Sequence, residues 1–347
     1  MNSEKLEEVL QFVSPGTPLR DGLNNILEAG LGALIVVGYD ESIEKIVDGG
    51  FLLECVFTPE RVYELAKMDG AIILDENCEH ILSANVHLQP DRRFSSSESG
   101  TRHRTAERTA QQSGKLVIAV SERRNIITIY KDDIKYRLKE IIAIESEAAQ
   151  AIKTMERYKM VLDKTLASLT ILELDDAVTM YEVSSTLQKF EMLRRISKEI
   201  KSYISELGTE GRLLNLQFQN LNLDVESEEA SFIKDYIPDS VEAKDVKSKI
   251  SQLNDEELLE LENFSAALGY GKTYATLDKE VSPKGYRLLG RIGRLTKKDV
   301  EKLVNKYNGV TKLQEAPDEE LQEMKFSKTK IKAIKNGLQR LRGRGLK

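Results

Sequence analysis

The chain has 347 residues, which at about 150 residues per domain indicates two or three domains. A hydrophobic content of 40% is ample for packed cores and excludes a mainly disordered chain. With 31% charged residues and no apolar run near the ~18 residues of a membrane span, the sequence predicts a soluble protein on one side of any membrane. The acidic N-terminus has neither the basic nor the apolar region of a signal peptide, so we expect a cytoplasmic protein.

The chain has two cysteines, Cys55 and Cys78, each beside aliphatic residues. This pattern argues against a disulfide framework and against a cysteine-based zinc site. Free cysteines are among the most buried residue types, so we expect both thiols to lie in the core.

Strand-like and helix-like segments alternate from residue 1 to about residue 140, which predicts an α/β domain. The strand candidates are short runs rich in β-branched residues, at Ala33 to Val37, Ala71 to Leu74, Ile81 to Leu88, Leu116 to Val120 and Ile126 to Tyr130. The helix candidates are Leu19 to Glu28, Glu60 to Met68 and Thr101 to Gln112. Runs this apolar indicate a sheet that is covered by helices on its faces.

The composition then changes, because no glycine occurs between Gly114 and Gly208 and no proline between Pro90 and Pro238. Without these breakers, long helices are expected after the last strand. Apolar residues recur at helical spacing, which is typical of helices that pack on one another. The first stripe is Ala149, Ile152, Met155, Leu162, Leu166 and Leu169, and the second is Leu187, Phe190, Leu193, Ile196, Ile200, Ile204 and Leu207.

The charge is distributed unevenly along the chain. Residues 281 to 347 hold 18 Lys and Arg against 7 Asp and Glu, a net charge of +11, so the other 280 residues carry −17 of the total of −6. A basic end on an acidic body indicates a polyanion such as DNA as the partner of the C-terminus, with a solubilising tail as the alternative.

Three fragments imitate nucleotide-binding motifs without the context that those motifs need. Gly30 and Gly32 precede their strand and lack the third glycine of a dinucleotide fingerprint. The fragment Gly271 to Thr273 lacks the first glycine of a phosphate-binding loop and follows a helical pattern. The run from Ala71 to Asp75 resembles a Walker B strand but has no Walker A partner.

The most informative stretch is SSSESGTRHRTAER, from Ser95 to Arg108. A small polar loop opens into a predicted helix whose first turn carries Arg102, His103 and Arg104, with hydroxyls from Thr101 and Thr105. Free N–H groups at a helix start attract anions, and each guanidinium group can bind phosphate oxygens through two parallel hydrogen bonds. The stretch therefore predicts a polyphosphate site.

A structural role for these cations would need carboxylates to compensate them, and Glu98 and Glu107 are near enough in sequence to do so. A second element, Asp69-Gly70-Ala71, stands where a helix turns into a buried strand. Small residues let a flat ligand approach the backbone, and a carboxylate beside phosphates suits Mg²⁺ or Mn²⁺. Since His80 and His87 lie elsewhere, metal-assisted group transfer is the favoured chemistry.

The strings PGTPLRDGLNNIL (Pro15 to Leu27), YELAKMDGAIILD (Tyr63 to Asp75), ANVHLQPD (Ala84 to Asp91), SGTRHRTAERTA (Ser99 to Ala110) and VSERR (Val120 to Arg124) closely resemble the DNA-integrity scanning diadenylate cyclases. The resemblance covers the whole chain, and both hallmark motifs, DGA and RHR, are intact. It implies a cyclase domain with a mixed sheet covered by helices at 1–140, an all-α spine at 141–284, and an all-α helix-hairpin-helix DNA-binding module at 285–347.

The family resemblance further implies condensation of two ATP into cyclic di-3′,5′-AMP and two pyrophosphates, with Mg²⁺ or Mn²⁺, across facing half-sites of a homo-octamer. Asp69 would bind the metal and, with Arg102, His103 and Arg104, serve catalysis. The implied ATP-binding positions are Gly70, Ala71, Leu88, Thr101, Arg102, His103, Arg104, Thr105 and Ser121. Glu122 is a further metal candidate that the sequence does not place.

The same resemblance implies a nucleoid-associated protein that binds branched, Holliday-junction-like DNA in a DNA-damage checkpoint linked to repair, with the bound DNA lowering cyclase output. Its DNA-binding positions would be Arg291, Gly293, Arg294, Lys328 and Lys330. The chain departs from the family at Lys325-Phe326-Ser327, where Gly-Ile-Gly is usual. The alternative is a scaffold that binds DNA and senses a nucleotide without turnover, but such a protein has little need of Asp69.

Overall fold

The computed structural model describes residues 9–344, with side chains up to residue 342. The chain divides into two compact units, one formed by the residues up to 150 together with 201–216, the other by 151–200 and the residues from 217 on. The domain boundaries expected from the sequence stay a prediction.

The first unit contains an eight-stranded mixed sheet. Its strands are β1 (Ala33–Val37), β2 (Val47–Asp48), β3 (Phe51–Val56), β4 (Ala71–Leu74), β5 (His80–Leu88), β6 (Leu116–Ser121), β7 (Ile126–Lys131) and β8 (Ile134–Arg137). The order is β2-β5-β4-β1-β6-β7-β8, and β3 also pairs with β5. The pairing of β1 with β4 is parallel, whereas the other pairings are antiparallel.

Helices cover both faces of this sheet. They are α1 (Pro18–Glu28), α2 (Glu41–Glu44), α3 (Pro59–Leu65) and α4 (Thr101–Ser113). Alternate residues of β1 divide between two cores, with Ile35 on the side of α1 and α3 and Val36 on the side of α2 and α4. This alternation is the period-2 geometry of a strand, and it confirms the predicted α/β fold with both faces buried.

Local sequence signals explain where the helices begin. Thr17 and Thr58 each cap a helix by accepting a backbone N–H bond, and each is followed by a proline at the first helical position. The predicted strands all form, with bounds within one residue of those expected. Three further strands at the sheet margins, β2, β3 and β8, were not predicted.

Both cysteines are free thiols, but they are only half-buried, whereas full burial in the core was expected. Cys55 lies on β3, a strand at the sheet margin, and Cys78 lies in a turn with a φ of +58°. Both pack against the edge of the core, and burial raises the pKa of the Cys78 thiol to about 12.

Two long helices follow the sheet, α5 (Ile141–Leu174) and α6 (Met180–Leu207). The break between them contains no glycine or proline; instead Asp176 adopts a φ of +54°, a conformation that Asp tolerates better than most residues. The predicted apolar stripes are largely buried. Ile196 and Ile204 are half-buried, and Ala149 is exposed while the neighbouring Ala148 is buried instead.

Shorter helices complete the chain. They are α7 (Arg212–Asn222), α8 (Val225–Tyr236), α9 (Ala243–Ser251), α10 (Leu261–Ala267), α11 (Tyr274–Leu277), α12 (Tyr286–Gly290), α13 (Lys297–Tyr307), α14 (Val310–Glu315), α15 (Asp318–Glu323) and α16 (Lys328–Arg344). Two 3₁₀ turns lie at Gly208–Gly211 and Glu257–Leu259. Within the described residues, no helix combines the length and apolarity needed to cross a membrane.

A buried ionic cluster ties α12 to α5 and α8 in the second unit. The Asp235 carboxylate accepts the backbone N–H groups of Gly285, Tyr286 and Arg287 and so caps α12. The Arg287 guanidinium, 1% exposed, pairs with Glu173, which also accepts the Tyr236 hydroxyl at 2.6 Å. Burial, and then the nearby Glu173, raise the pKa of Asp235 to about 7, against the opposing effect of its hydrogen bonds. The buried charged groups are therefore stabilised by hydrogen bonds and ion pairs within the protein instead of by water.

Replacing Arg287 by methionine should destabilise the second unit by about 3–5 kcal/mol, because Glu173 would stay buried without its cation. Urea unfolding measures the loss. Arg157→Met, which removes an exposed arginine from α5, is the control and should change little. Equal unfolding midpoints for the two variants would contradict the stabilising role of the cluster.

Candidate functional site

Four strand ends meet at one end of the sheet. β1 and β4 start there because they are parallel, and β5 and β6 end there because each runs antiparallel to its neighbour. The register places Ala71 opposite Val86 and Ala33 opposite Val120. The Asp69-Gly70-Ala71 motif, Leu88 and Ser121, which are scattered in the sequence, therefore share this end of the sheet.

The backbone at Gly70 requires glycine. Its φ is +95°, and a Cβ there would lie 2.8 Å from the carbonyl carbon of Asn85 and 2.9 Å from the backbone nitrogen of Val86. The Asn85 side chain donates to the carbonyl oxygen of Asp69 at 2.8 Å, which fixes the turn from its other side. The turn holds Asp69 exposed at the sheet end.

The Asp69 carboxylate fits a divalent cation of the Mg²⁺ or Mn²⁺ type. Such ions are commonly bound by one or two carboxylates together with oxygens of a phosphate substrate. Among the described residues, the one cluster of three potential ligands is Asp75, Glu79 and His80, at the far end of β4. That cluster is separate from the site.

The N-terminus of α4 offers free backbone donors. Gly100 is its N-cap and supplies no side-chain hydrogen bond to the first turn. The first N–H groups of a helix lack partners within the helix, and the helix dipole makes this end electropositive. Thr101, Arg102 and His103 belong to this first turn, so its geometry suits an anion.

Arg102 lies against a glycine, and Arg104 lies against backbone carbonyl oxygens. The Arg102 guanidinium lies against Gly32, since a Cβ at that glycine would come within 2.0 Å of its Nη1 atom. Arg104 donates to the carbonyl oxygens of Glu98, at 3.3 Å, and of Ser99, at 3.0 Å. Across residues 9–342, no carboxylate lies at ion-pairing distance from either guanidinium.

The two carboxylates that were expected to compensate these arginines have other partners. Glu107 accepts the Ser96 hydroxyl and the backbone N–H of Ser97, and so holds the loop before α4. Glu98 pairs with Lys135 at 2.6 Å. The purely structural interpretation of the arginine pair therefore lacks its carboxylates, and the polyphosphate interpretation is favoured.

His103 is 8% exposed and lies beneath the first turn of α4. Its Nδ1 atom is 2.9 Å from the Tyr130 hydroxyl, whereas its Nε2 atom is buried without a hydrogen-bond partner among the described residues. Burial lowers the pKa of His103, and Arg124, Arg102 and Lys135 act in the same direction against Glu98. The free protein therefore holds a neutral imidazole at pH 7.

The remaining sequence candidates lie around this end of the sheet. Leu88 and Thr105 are half-buried, and the half-buried Ser121 accepts the backbone N–H of Arg124 at 3.4 Å. Glu122 follows Ser121 and is exposed. Arg124 also reaches the Ser99 hydroxyl at 3.5 Å, which adds a cation to the site.

Two helical hairpins carry the predicted DNA-binding residues. The first turn, between α12 and α13, contains Arg291, Gly293 and Arg294, all exposed, and the left-handed residue there is Arg294 (φ +78°). The second turn, between α15 and α16, has Lys325 in the corresponding conformation (φ +66°). Neither turn therefore places glycine at its left-handed position.

Two of these cations have carboxylate partners. Arg291 pairs with Glu228, and Lys330 pairs with Asp299 at 2.6 Å. The Lys330 ammonium, then the backbone N–H of Thr296, hold the pKa of Asp299 at about 2. Lys328 is exposed at the start of α16.

Sequence analysis missed three residues that shape the site. Gly32 was considered only as part of a dinucleotide-binding motif that was rejected, although it makes room for Arg102. Asn85 could have been noticed as a polar residue inside a largely apolar strand. In the structure it adopts a φ of +56°. Tyr130 looked like an ordinary strand residue, yet it contacts His103.

Gly70→Ala should destabilise the protein by more than the ~1–2 kcal/mol that a left-handed Ala costs, because its Cβ would also overlap backbone atoms. Gly30→Ala is the matched control, since Gly30 has a φ of +64° and nothing within 4 Å of its Cβ position. Thermal unfolding of both variants measures the difference. Equal losses would show that the approach of Asn85 and Val86 does not constrain Gly70.

Known proteins are similar to this chain over nearly its full length. A family model described as "DisA bacterial checkpoint controller nucleotide-binding" matches residues 20–134, and one described as "DisA bacterial checkpoint controller linker region" matches 138–277. The DNA integrity scanning protein DisA of Fusobacterium nucleatum is 52% identical over 342 residues, which cover 99% of this chain and 98% of that protein. The protein of that name from Bacillus subtilis is 48% identical, covering 97% and 94%. The resemblance predicted from the motifs is confirmed: the chain belongs to the DisA family and is a diadenylate cyclase, a nucleotidyltransferase.

Proposed function

We propose that this protein condenses two ATP molecules into cyclic di-3′,5′-AMP with release of two pyrophosphates. The observation that carries the proposal is the meeting of Asp69 with the uncompensated arginines of α4 at one end of the sheet. Family membership supports the same reaction.

Each residue at this sheet end has a role that suits its surroundings. Arg102, Arg104, Thr101 and the free N–H groups of α4 hold the phosphates and stabilise the charge that develops during transfer. Gly70 and Ala71 let the nucleotide approach the backbone, and Leu88 adds an apolar contact. Thr105 and Ser121 supply hydroxyls, while His103 lies below the phosphates.

Asp69 would hold Mg²⁺ or Mn²⁺ together with phosphate oxygens and orient the attacking 3′-hydroxyl. When bound, the ion supplies Lewis-acid stabilisation of the phosphoryl oxygens. In this proposal, one carboxylate, Asp69, and one helix start, that of α4, serve the nucleotide at this end of the sheet, with the exposed Glu122 as a further metal candidate. This supports a half-site, so two cyclase domains must face each other, as in the octamer of two rings that the family resemblance implies.

Asp69→Asn should fold and bind ATP yet give ~100-fold less cyclic dinucleotide, because it removes the metal-binding charge and keeps the size of the side chain. Incubation with ATP and Mn²⁺ or Mg²⁺, followed by mass identification of the product, measures this. Asp133→Asn, in the exposed turn between β7 and β8, is the control. Near-normal turnover in Asp69→Asn would remove Asp69 from the mechanism, and ATP binding without turnover in the wild type would favour a nucleotide-sensing scaffold.

We also propose that the two C-terminal hairpins form a helix-hairpin-helix module. The module binds DNA, branched DNA included, through the DNA phosphates. The bound DNA then lowers cyclase output. The net charge of +11 in residues 281–347 and the exposure of Arg294 and Lys328 support this. Arg291, Gly293 and Lys330 would belong to the same surface. Such binding would place the protein in the cytoplasm at the nucleoid.

Lys328→Ala should weaken DNA binding and reduce the slope of log affinity against log salt by about 0.9, the value for one lost phosphate contact. The control is Lys153→Ala, an exposed position on α5 with the same charge change. Fluorescence anisotropy with a labelled duplex at several salt concentrations gives both slopes. The same slope in both variants would show that the start of α16 does not contact the phosphates.

A further inference from the structure

A row of hydrogen bonds leads from the protein surface to His103. Lys135 lies 2.6 Å from Glu98 Oε1, the Tyr130 hydroxyl donates to the same oxygen at 2.9 Å, and His103 Nδ1 lies 2.9 Å from the Tyr130 oxygen. The Tyr130 ring also meets the His103 ring edge-on, at 6.2 Å between centroids. The four side chains come from α4, the loop before it, β7 and β8.

The direction of each hydrogen bond follows from the number of protons available. Burial raises the pKa of Glu98, but the bonds from Lys135 and Tyr130 outweigh it and keep the carboxylate ionised, so it only accepts. Tyr130 has one hydroxyl proton, and it donates this proton in its hydrogen bond to Glu98. The Tyr130 oxygen can then only accept from His103, so the imidazole proton is on Nδ1.

The opposite edge of the imidazole faces the start of α4. The Cδ2 atom, which is bonded to Nε2, lies 4.0 Å from the Cβ position of Gly100, the N-cap. Nε2 itself is buried and has no partner among the described residues. A buried polar atom without a partner is costly in a native structure, and here it lies below the first turn that suits an anion.

We propose that Tyr130, held by Glu98 and Lys135, is a positioning residue that fixes His103 with its proton on Nδ1 and directs Nε2 toward the nucleotide phosphates. This rests on the proposed cyclase function. Nε2 then accepts a hydrogen bond from a protonated phosphate oxygen, and when that proton moves to Nε2 the phosphate oxygen keeps the electron pair of the broken O–H bond as negative charge. Glu98, behind Tyr130, stabilises the imidazolium that results, whereas Arg102, Arg124 and Lys135 oppose it.

The test is Tyr130→Phe, which keeps the ring contact and removes the hydroxyl. Nitrogen-15 magic-angle-spinning spectra of the full-length protein, labelled at its three histidines, report the tautomer of each ring. His103 is the buried histidine of the three, since His80 and His87 are exposed. The wild type should show a protonated Nδ1 and a bare Nε2 for His103, and the variant should lose that preference.

In steady-state kinetics, kcat should fall by about 10- to 100-fold in Tyr130→Phe with a smaller change in KM, because the reacting groups are misplaced while the arginines still bind ATP. The control is Tyr136→Phe, a half-buried tyrosine on β8 that hydrogen-bonds Glu206 in the same unit. It should leave both the His103 spectrum and kcat unchanged.

An Nε2-protonated His103 in the wild type, or an unchanged tautomer in Tyr130→Phe, would overturn the positioning role. A tautomer that shifts while kcat stays at the wild-type value would also overturn it. The spectra need no ATP, so the expected tautomer together with absent cyclic dinucleotide in the wild type would refute the cyclase proposal and leave the hydrogen-bond assignment standing.

Discussion

The site depends on one parallel pairing inside an otherwise antiparallel sheet. Because β1 and β4 run in the same direction, their starts lie side by side, and the antiparallel neighbours β5 and β6 bring their ends to the same place. An antiparallel pairing there would carry Asp69 to the opposite end from Ser121. Elements that are 50 residues apart in sequence thus become neighbours through register alone.

The second requirement is positive charge that remains available. Arginines in folded proteins usually find carboxylates, and here two carboxylates stand close in sequence. The fold directs Glu98 to Lys135 and Tyr130, and Glu107 to the loop serines. Among the described residues, Arg102 therefore lies against Gly32 and Arg104 donates to backbone carbonyl oxygens, and neither has a carboxylate partner. Two neighbouring positive charges repel each other, and a bound anion would offset this repulsion. In a structural ion pair, by contrast, a carboxylate of the protein already does so.

The sequence predicted the elements that obey local rules. Strands β1 and β4 are short apolar runs between turn signals, and α4 follows a Gly-containing loop, so apolar runs and turn residues were enough to predict them. Strand β3 was not predicted because it lacks a regular alternation of buried and exposed residues. Leu52 is 79% exposed, and the pairing shifts register next to Glu54.

The motif residues of the site were also predictable, whereas their supports were not. Gly32 matters only because a guanidinium 70 residues later packs on it, and Tyr130 only because its hydroxyl lies between His103 and Glu98. Such roles arise from tertiary contacts and leave no spacing to detect. The same holds for the paired cations Arg291 and Lys330, which the sequence could not distinguish from exposed ones.

The Asp235 cap has a consequence for how the C-terminal hairpins are attached. Three consecutive N–H groups at the start of α12, those of the N-cap Gly285 and of the next two residues, bond to one carboxylate of α8. Arg287 of the same helix pairs with Glu173 of α5. The first hairpin is thus bound by side chains of helices that precede it by 50 residues or more, in addition to its own apolar packing. The position of the first hairpin is therefore set by tertiary contacts as well as by the peptide segment between α11 and α12.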